Sequence, residues 1–199
     1  LNKKIGLKNS IDEKQMKKRL VHNPPIMELH IHENDLDDNF EEIEERIIKL
    51  QKMNIEIVIH APMKFRGTEL NISTEVKEIY DNSLLSIKNV EKLCKKYDLY
   101  GFVLHPYTED PLLNSDKKDS KILNKTIKKI KSKYLMLENI PHGFFFDCDT
   151  IFNFIKKNKI RLCLDVVHLY LARETEEEFN ESIRKLSELE PYFHIADTK

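Results

Sequence analysis

The sequence is short of the residues that several common classes of protein require. It has four glycines and no tryptophan in 199 residues, and the glycines are too far apart for a dinucleotide-binding turn or a P-loop. Its three cysteines are widely spaced, which fits neither a disulfide framework nor a zinc-binding CxxC pair. No apolar run approaches the roughly 20 residues that cross a bilayer. These absences argue against glycine-rich nucleotide folds, disulfide-stapled scaffolds and integral membrane proteins.

Charge is balanced, with 34 acidic and 33 basic residues and a formal net charge of -1. This composition disfavours a nucleic-acid partner, although it leaves room for a local basic patch. The chain is long enough for one core built from its 40% hydrophobic residues. We expect a single domain over residues 1–199, reduced cysteines and a cytoplasmic protein without membrane contact, and the oligomeric state stays open.

Short apolar runs of strand length recur along the chain. Most are apolar at consecutive positions, which is typical of parallel strands covered on both faces. Amphipathic stretches lie between them, for example from Phe40 to Leu50 and from Val76 to Cys94, and Thr175 with Glu178 forms a capping box. The predicted strands are Lys4–Leu7, Ile26–His32, Ile55–His60, Leu99–His105, Tyr134–Ile140, Ile160–Val167 and Tyr192–Ala196.

Strands that alternate with helices predict βαβ units, and both a (β/α)8 barrel and a doubly wound sheet fit that order. A doubly wound nucleotide binder normally has a glycine-rich first turn, whereas this chain has Lys8-Asn9-Ser10 there. A barrel places its chemistry at the carboxyl ends of many strands, where this chain has polar residues. We therefore predict an α/β fold, a (β/α)8 TIM barrel with about seven βα units present and the eighth missing from this chain.

A side chain able to bind metal follows strand after strand. In a barrel these side chains would converge on one cup, where imidazole and carboxylate suit Zn²⁺ or Mn²⁺, with Mg²⁺ or Co²⁺ also possible. Taken singly, each histidine could be structural, and Glu138 or Asp165 could cap the helix that follows. Taken together they predict a divalent metal site. The residues are His30, His60, His105, Glu138, Asp165, His168 and His194.

The order and spacing of these motifs resemble the xylose isomerase-like TIM barrel superfamily, which contains sugar phosphate isomerases and epimerases and the endonuclease IV group (AP endonuclease family 2). The resemblance covers most of the chain, from about residue 26 to the last residue. The motifs are His60-Ala61-Pro62, His105-Pro106, Leu137-Glu138-Asn139, Leu164-Asp165-Val166-Val167-His168 and His194-Ile195-Ala196-Asp197.

The resemblance implies a role for each matching residue. Glu138, Asp165 and His194 match three of the four metal ligands of the sugar isomerases, the fourth being a glutamate on an eighth strand. His60 and His105 match zinc ligands of the endonuclease group. His168 matches a histidine that contacts substrate in the isomerases or a further zinc in the endonucleases.

The resemblance favours a metal-dependent isomerase or epimerase that moves a proton of a sugar or sugar phosphate through an enediolate. Glu138 is the expected base as well as a ligand, and His168 is the second catalytic candidate and a substrate contact. His30 and Arg66 are further candidate substrate contacts, although Arg66 could equally lie in solvent.

Other functions stay open. The presence of both His60 and His105 supports an endonuclease IV-like zinc phosphodiesterase. An HxH motif, His30 and His32, suggests more distantly a hydrolase of the polymerase-and-histidinol-phosphatase kind. A sugar-binding barrel without catalysis is the non-enzymatic alternative.

Overall fold

The computed structural model describes residues 6–37, 40–107 and 118–195. These residues form strands and helices that alternate along the chain. The strands are β1 (Gly6–Ser10), β2 (Ile26–His30), β3 (Glu56–His60), β4 (Lys64–Phe65), β5 (Thr68–Glu69), β6 (Gly101–Leu104), β7 (Leu135–Glu138), β8 (Arg161–Asp165) and β9 (Tyr192–His194). The helices are α1 (Glu13–Leu20), α2 (Glu33–Asp37), α3 (Phe40–Lys52), α4 (Lys77–Tyr97), α5 (Lys118–Ile130), α6 (Cys148–Asn158), α7 (Val166–Leu171) and α8 (Glu176–Ser187).

One sheet contains seven of these strands, in the order β1-β2-β3-β6-β7-β8-β9, and every neighbouring pair is parallel. The sheet curls into a partial barrel. The curl brings β9 near β2, five strands away in the sheet, where Tyr192 donates a hydrogen bond of 2.8 Å to Glu28. The described ranges contain no eighth barrel strand. The predicted TIM-barrel architecture with about seven βα units is confirmed.

The two faces of this sheet bury different sets of apolar side chains. On the helical side, residues such as Leu29, Ile59 and Leu137 belong to one large core that also contains Ile43 and Ile47 of α3. On the concave side, a smaller set forms what we call the inner cluster, consisting of Ile26, Val58, Val103, Met136 and Cys163 with Tyr192 packed against them. Burial on both faces explains why the strands are apolar at consecutive positions.

Side-chain caps mark the starts of α6 and α8. Thr175 and Glu178 form the predicted capping box of α8, with 3.2 Å from Glu178 N to Thr175 Oγ1 and 3.3 Å from Thr175 N to Glu178 Oε2. Asp147 caps α6 by accepting a hydrogen bond from the backbone N–H of Thr150.

In the described ranges no helix combines the length and the apolar character needed to span a bilayer.

Several predicted boundaries were wrong. Strand β1 runs from Gly6 to Ser10 instead of Lys4–Leu7, and the predicted residues Lys4 and Ile5 lie outside the described residues. Strand β8 ends at Asp165 rather than Val167, because the Asp165 side chain caps α7 and turns the chain into a helix at once. The β4–β5 hairpin was not predicted. A single domain over residues 1–199 stays a prediction.

Candidate metal centre

Side chains from six of the seven parallel strands meet at the carboxyl end of the sheet. Most of them follow a member of the inner cluster by two positions, and alternate residues of a strand point to the same face. They therefore form a layer above that cluster, which we call the strand-end ring. Its members are His30, His60, His105, Glu138, Asp165 and His194.

Glu138 lies at the centre of this ring and is 1% exposed. Its Oε2 is 2.9 Å from Nε2 of His105 and 3.4 Å from Nε2 of His60. Its Oε1 is 3.0 Å from Nδ1 of His194 and 3.7 Å from Nδ1 of His168. Burial alone would raise the pKa of Glu138, but His105, His194 and His60 hold it well below its usual value, so the carboxylate is ionised.

The contact between His60 and Glu138 fits a site for a cation. Nδ1 of His60 lies 2.9 Å from the carbonyl oxygen of Ala61, and because a carbonyl only accepts, this nitrogen carries the proton. Burial lowers the pKa of His60, so its Nε2 presents a lone pair to the ionised oxygen. Among the described residues, that buried Glu138 oxygen accepts no hydrogen bond of regular geometry. A divalent ion between the two atoms would satisfy both.

His168 is oriented in the same way. Its Nδ1 lies 2.9 Å from the carbonyl oxygen of Asn139, so Nδ1 carries a proton and Nε2 is the nitrogen that could bind a metal. Metal-binding histidines typically donate their other ring N–H to a carbonyl or a carboxylate. Asn139 also joins β7 to β8, since its side chain donates to the Asp165 carbonyl at 3.0 Å and accepts from the Asp165 N–H at 2.7 Å.

Asp165 uses its two oxygens differently. Oδ1 accepts a hydrogen bond of 2.8 Å from the backbone N–H of His168, which is the helix-capping role considered from the sequence. Oδ2 faces the strand-end ring and lies 3.7 Å from Nδ1 of His194. Capping and metal ligation are therefore compatible for this residue.

Three sets of ligand atoms lie close enough to hold a metal ion, with every atom of a set within 4.8 Å of the others, and Glu138 belongs to all three. His194 Nδ1 also brings the predicted trio of Glu138, Asp165 and His194 together, at 3.0 and 3.7 Å from the two carboxylates. The ligand roles of these residues stay predictions. The sets are His60, His105 and Glu138; Glu138, Asp165 and His168; and Glu138, Cys163 and His194.

The two other candidate substrate contacts differ in position. His30 joins the strand-end ring, where its ring stacks on that of His60 with centroids 4.7 Å apart. Burial, with His60 and Lys8 nearby, lowers the pKa of His30 to about 3, so this ring is neutral. Arg66 lies at the exposed turn of the β4–β5 hairpin, with its guanidinium 5.4 Å from the ring centroid of Phe65.

Three residues of the site were not among the sequence candidates: Glu28, Asn139 and Cys163, which belongs to the third ligand set. Glu28 is 1% exposed, and its Oε2 lies 2.8 Å from Nε2 of His194. Burial raises the pKa of Glu28, but the hydrogen bond and charge of His194 outweigh this and lower it overall. A charged residue inside the apolar run of β2 was the available signal. Asn139 could have been noticed as the polar residue directly after Glu138.

The structure is a parallel barrel with histidines and carboxylates at the carboxyl ends of its strands. Comparison with known families finds the same class of barrel. The chain belongs to the family of xylose isomerase-like TIM barrels, whose family model matches residues 23–199. The resemblance predicted from the motifs is confirmed. Among curated proteins, no relative matches this sequence.

Solved structures of the same fold include two epimerase-type proteins and an endonuclease. A D-tagatose 3-epimerase-like protein is 20% identical with a TM-score of 0.77, over 99% of this chain and 77% of its own. The 3-keto-D-glucoside 4-epimerase of E. coli is 15% identical with a TM-score of 0.72, over 98% and 79%. Endonuclease IV from Thermus thermophilus is 17% identical with a TM-score of 0.64, over 94% and 72%. At identities this low, the similarity to these structures shows the fold alone.

Proposed function

We propose that this protein is a metal-dependent isomerase or epimerase that acts on a sugar or sugar phosphate. The observation that carries the proposal is Glu138, an ionised and buried carboxylate surrounded by four histidines at the carboxyl end of the barrel. The two epimerase-type neighbours have the higher TM-scores of the three structures compared, which supports the same choice.

The metal ligands in this proposal are Glu138, Asp165 and His194, and the ion is Zn²⁺ or Mn²⁺ because the set mixes imidazole and carboxylate. A divalent ion bound here would supply the positive charge that acidifies the C–H bond beside the substrate carbonyl. Such help is needed because the low pKa of Glu138 makes its carboxylate a weak base.

Glu138 accepts the proton from that carbon, which leaves the sugar as an enediolate. Glu138 gives the isomer by returning the proton to the neighbouring carbon while the hydroxyl proton moves between the two oxygens. The epimer requires a second acid on the opposite face of the original carbon, and the resemblance assigns this role to the glutamate of the eighth strand. His168 and His30, at the rim of the cup, hydrogen-bond to hydroxyl groups of the sugar, and Arg66 meets a phosphate where the substrate carries one.

One observation favours a second candidate function, a zinc phosphodiesterase of the endonuclease IV kind. His60, His105 and Glu138 form a ligand set of their own within 4.8 Å, so Glu138 could be shared by two ions. Bridged metal ions are typical of phosphoryl-transfer sites. The balanced charge of the chain argues against duplex DNA as the substrate.

Deuterium exchange into a panel of sugars tests the proposal. The purified chain, loaded with Mn²⁺ or Zn²⁺, is incubated in D₂O with ketohexoses, aldopentoses and their phosphates, and mass spectrometry follows deuterium at the carbon beside the carbonyl. We expect metal-dependent exchange that Glu138→Gln abolishes. Glu41→Gln, the same change on the exposed surface of α3, should leave it intact.

Two other outcomes would contradict the proposal. Cleavage of a duplex containing an abasic site, with no exchange into any sugar, would support the phosphodiesterase. Sugar binding without exchange, with metal bound, would indicate a barrel without catalysis.

A further inference from the structure

Glu28 is a buried carboxylate that the proposed reaction does not use. It lies in the middle of β2, where β1 and β3 place Lys8 and Val58 beside it. Being two positions before His30, it points to the concave side one layer below the strand-end ring. We propose that Glu28 is a positioning residue, which holds His194 so that Nδ1 rather than Nε2 is its metal ligand. This inference rests on the proposed metal-dependent function.

The contact of Glu28 with His194 fixes one side of the imidazole. Oε2 of Glu28 lies 2.8 Å from Nε2 of His194, which is the length of a charge-assisted hydrogen bond. A carboxylate that accepts from Nε2 keeps the proton on that nitrogen. Nδ1 faces the ionised carboxylate of Glu138 at 3.0 Å, so a metal that binds this imidazole displaces the proton of Nδ1 and leaves the proton that Glu28 holds on Nε2.

The other side of the same ring faces the ligands. Nδ1 of His194 lies 3.0 Å from Oε1 of Glu138 and 3.7 Å from Oδ2 of Asp165. The two nitrogens of one imidazole thus face different layers of the barrel, Nε2 the layer below and Nδ1 the strand-end ring. A flip of the imidazole would exchange these partners and turn Nδ1 away from the carboxylates of Glu138 and Asp165.

Tyr192 supports the carboxylate in this position. Its hydroxyl donates a hydrogen bond of 2.8 Å to the same Oε2 atom of Glu28. Tyr192 and His194 are both on β9, so one oxygen accepts two hydrogen bonds from a strand on the far side of the partial barrel. The arrangement sets the rotamer of Glu28 as well as the orientation of His194.

The other oxygen of Glu28 is less well satisfied. Oε1 is buried and, among the described residues, makes no hydrogen bond of regular geometry, and Nζ of Lys8 is 3.6 Å away on a side chain that is 47% exposed. Removing a carboxylate from water is costly unless its oxygens are paired. A group held at such a cost is more easily explained by its effect on His194 than by a contribution to stability.

Glu28 could also act only as a tie between β2 and β9, and the two roles make different predictions. A tie contributes to stability and has no effect on which nitrogen of His194 binds a metal. A positioning carboxylate controls the tautomer and the metal affinity, and a side chain that still accepts a hydrogen bond should replace it in part. Carboxylate partners of metal-binding histidines typically contribute a factor of roughly 10–100 in metal affinity.

The first measurement compares metal affinity among variants of the full chain, with Zn²⁺ or Mn²⁺ alone as the probe and a chromophoric chelator as competitor. We expect Glu28→Leu to weaken binding roughly 10–100-fold. Glu28→Gln, which keeps an acceptor oxygen, should recover most of that loss. Lys8→Met is the matched control, since it touches only the other oxygen, and should change the affinity little. Thermal unfolding of each metal-free variant establishes that it is folded.

The second measurement is ¹⁵N NMR of the histidine rings, with the His194 signals assigned through their loss in His194→Gln. In the Zn²⁺-loaded protein we expect a protonated Nε2 and a metal-bound Nδ1. In the metal-free protein, the ring proton on Nε2 should exchange slowly in the wild type and quickly in Glu28→Leu. This second comparison is available even where Glu28→Leu binds no metal.

The two measurements separate this inference from the proposed function. If Glu28→Leu is folded and binds metal within about twofold of the wild type, or if Nε2 carries the metal, the inference is wrong while the metal site stands. If the wild type binds neither metal, the proposed function fails, and the exchange of the Nε2 proton in Glu28→Leu still decides whether Glu28 holds His194.

Discussion

Oδ1 of Asp165 accepts a hydrogen bond of 2.8 Å from the backbone N–H of His168, three residues further along the chain. This one contact ends β8, begins α7 and sets the point from which the His168 side chain enters the site. Because Nδ1 of His168 donates to Asn139, Nε2 is the nitrogen that would contact a substrate hydroxyl or bind a metal.

Replacing His168 distinguishes the two candidate functions. As a substrate contact in an isomerase or epimerase, His168→Ala should raise KM for the sugar and leave bound metal unchanged. As a ligand in a phosphodiesterase, it should release about one equivalent of zinc. Elemental analysis of wild type and variant, purified without chelator, measures the difference. Loss of an equivalent from a protein holding several zinc ions would overturn the choice of an isomerase.

The metal content itself depends on Glu138 and His194. We expect Glu138→Ala and His194→Ala to lose the divalent ion, because each removes a ligand atom from the point where the ring side chains meet. Elemental analysis with thermal unfolding as a folding control checks this. Unchanged metal in both variants would mean that the ligands are other residues.

Acid should destabilise the metal-free protein, in part through His30. Its pKa falls from 6.5 to about 3 on folding, so between these values the unfolded chain binds a proton that the folded protein does not. The contribution of His30 to the free energy of unfolding is therefore complete above pH 6.5 and decreases as the pH falls toward 3. His30→Gln should flatten the pH dependence of urea unfolding over this window, with the exposed His22→Gln as the control. An unaltered slope in His30→Gln would contradict the assignment.

The three thiols should differ in reactivity. Burial raises the pKa of all three thiols, that of Cys94 to about 12, but Cys94 and Cys163 are enclosed whereas Cys148 is only partly buried. A thiol reagent at pH 8 should modify one cysteine rapidly in the native protein, and Cys148→Ser should abolish that reaction. Rapid modification of two or more thiols in the folded protein would show that the large core around Cys94 or the inner cluster around Cys163 opens.

The strands and most of the ring could be predicted from the sequence because their signals are local. A strand buried on both faces leaves a run of consecutive apolar residues, and a histidine or carboxylate at its end marks the carboxyl edge of the sheet. His60, His105, Glu138 and Asp165 were all found in this way, and the structure places the other three each within a few ångströms of Glu138.

The rest depends on contacts that no local pattern records. Glu28 meets His194 only because the sheet curls, and the two residues are 166 positions apart. The end of β8 was misplaced because Val166 and Val167 continue an apolar, β-branched run, and the Asp165 cap overrides that preference. The β4–β5 hairpin depends on positive φ angles at Arg66 and Gly67. A single glycine in the sequence was too weak a signal to predict this turn.

The double role of Glu138 as ligand and base is best tested by comparing metal affinity with proton transfer in Glu138→Gln. Glutamine keeps the shape and one acceptor oxygen but cannot take a proton from carbon. We expect the affinity for Mn²⁺ or Zn²⁺ to fall modestly while metal-dependent deuterium exchange into the sugar falls by roughly 10²–10⁴-fold or more, the range usual for a lost general base. Equal losses in the two quantities would make Glu138 a ligand alone, and exchange at the wild-type rate in metal-loaded Glu138→Gln would contradict the account.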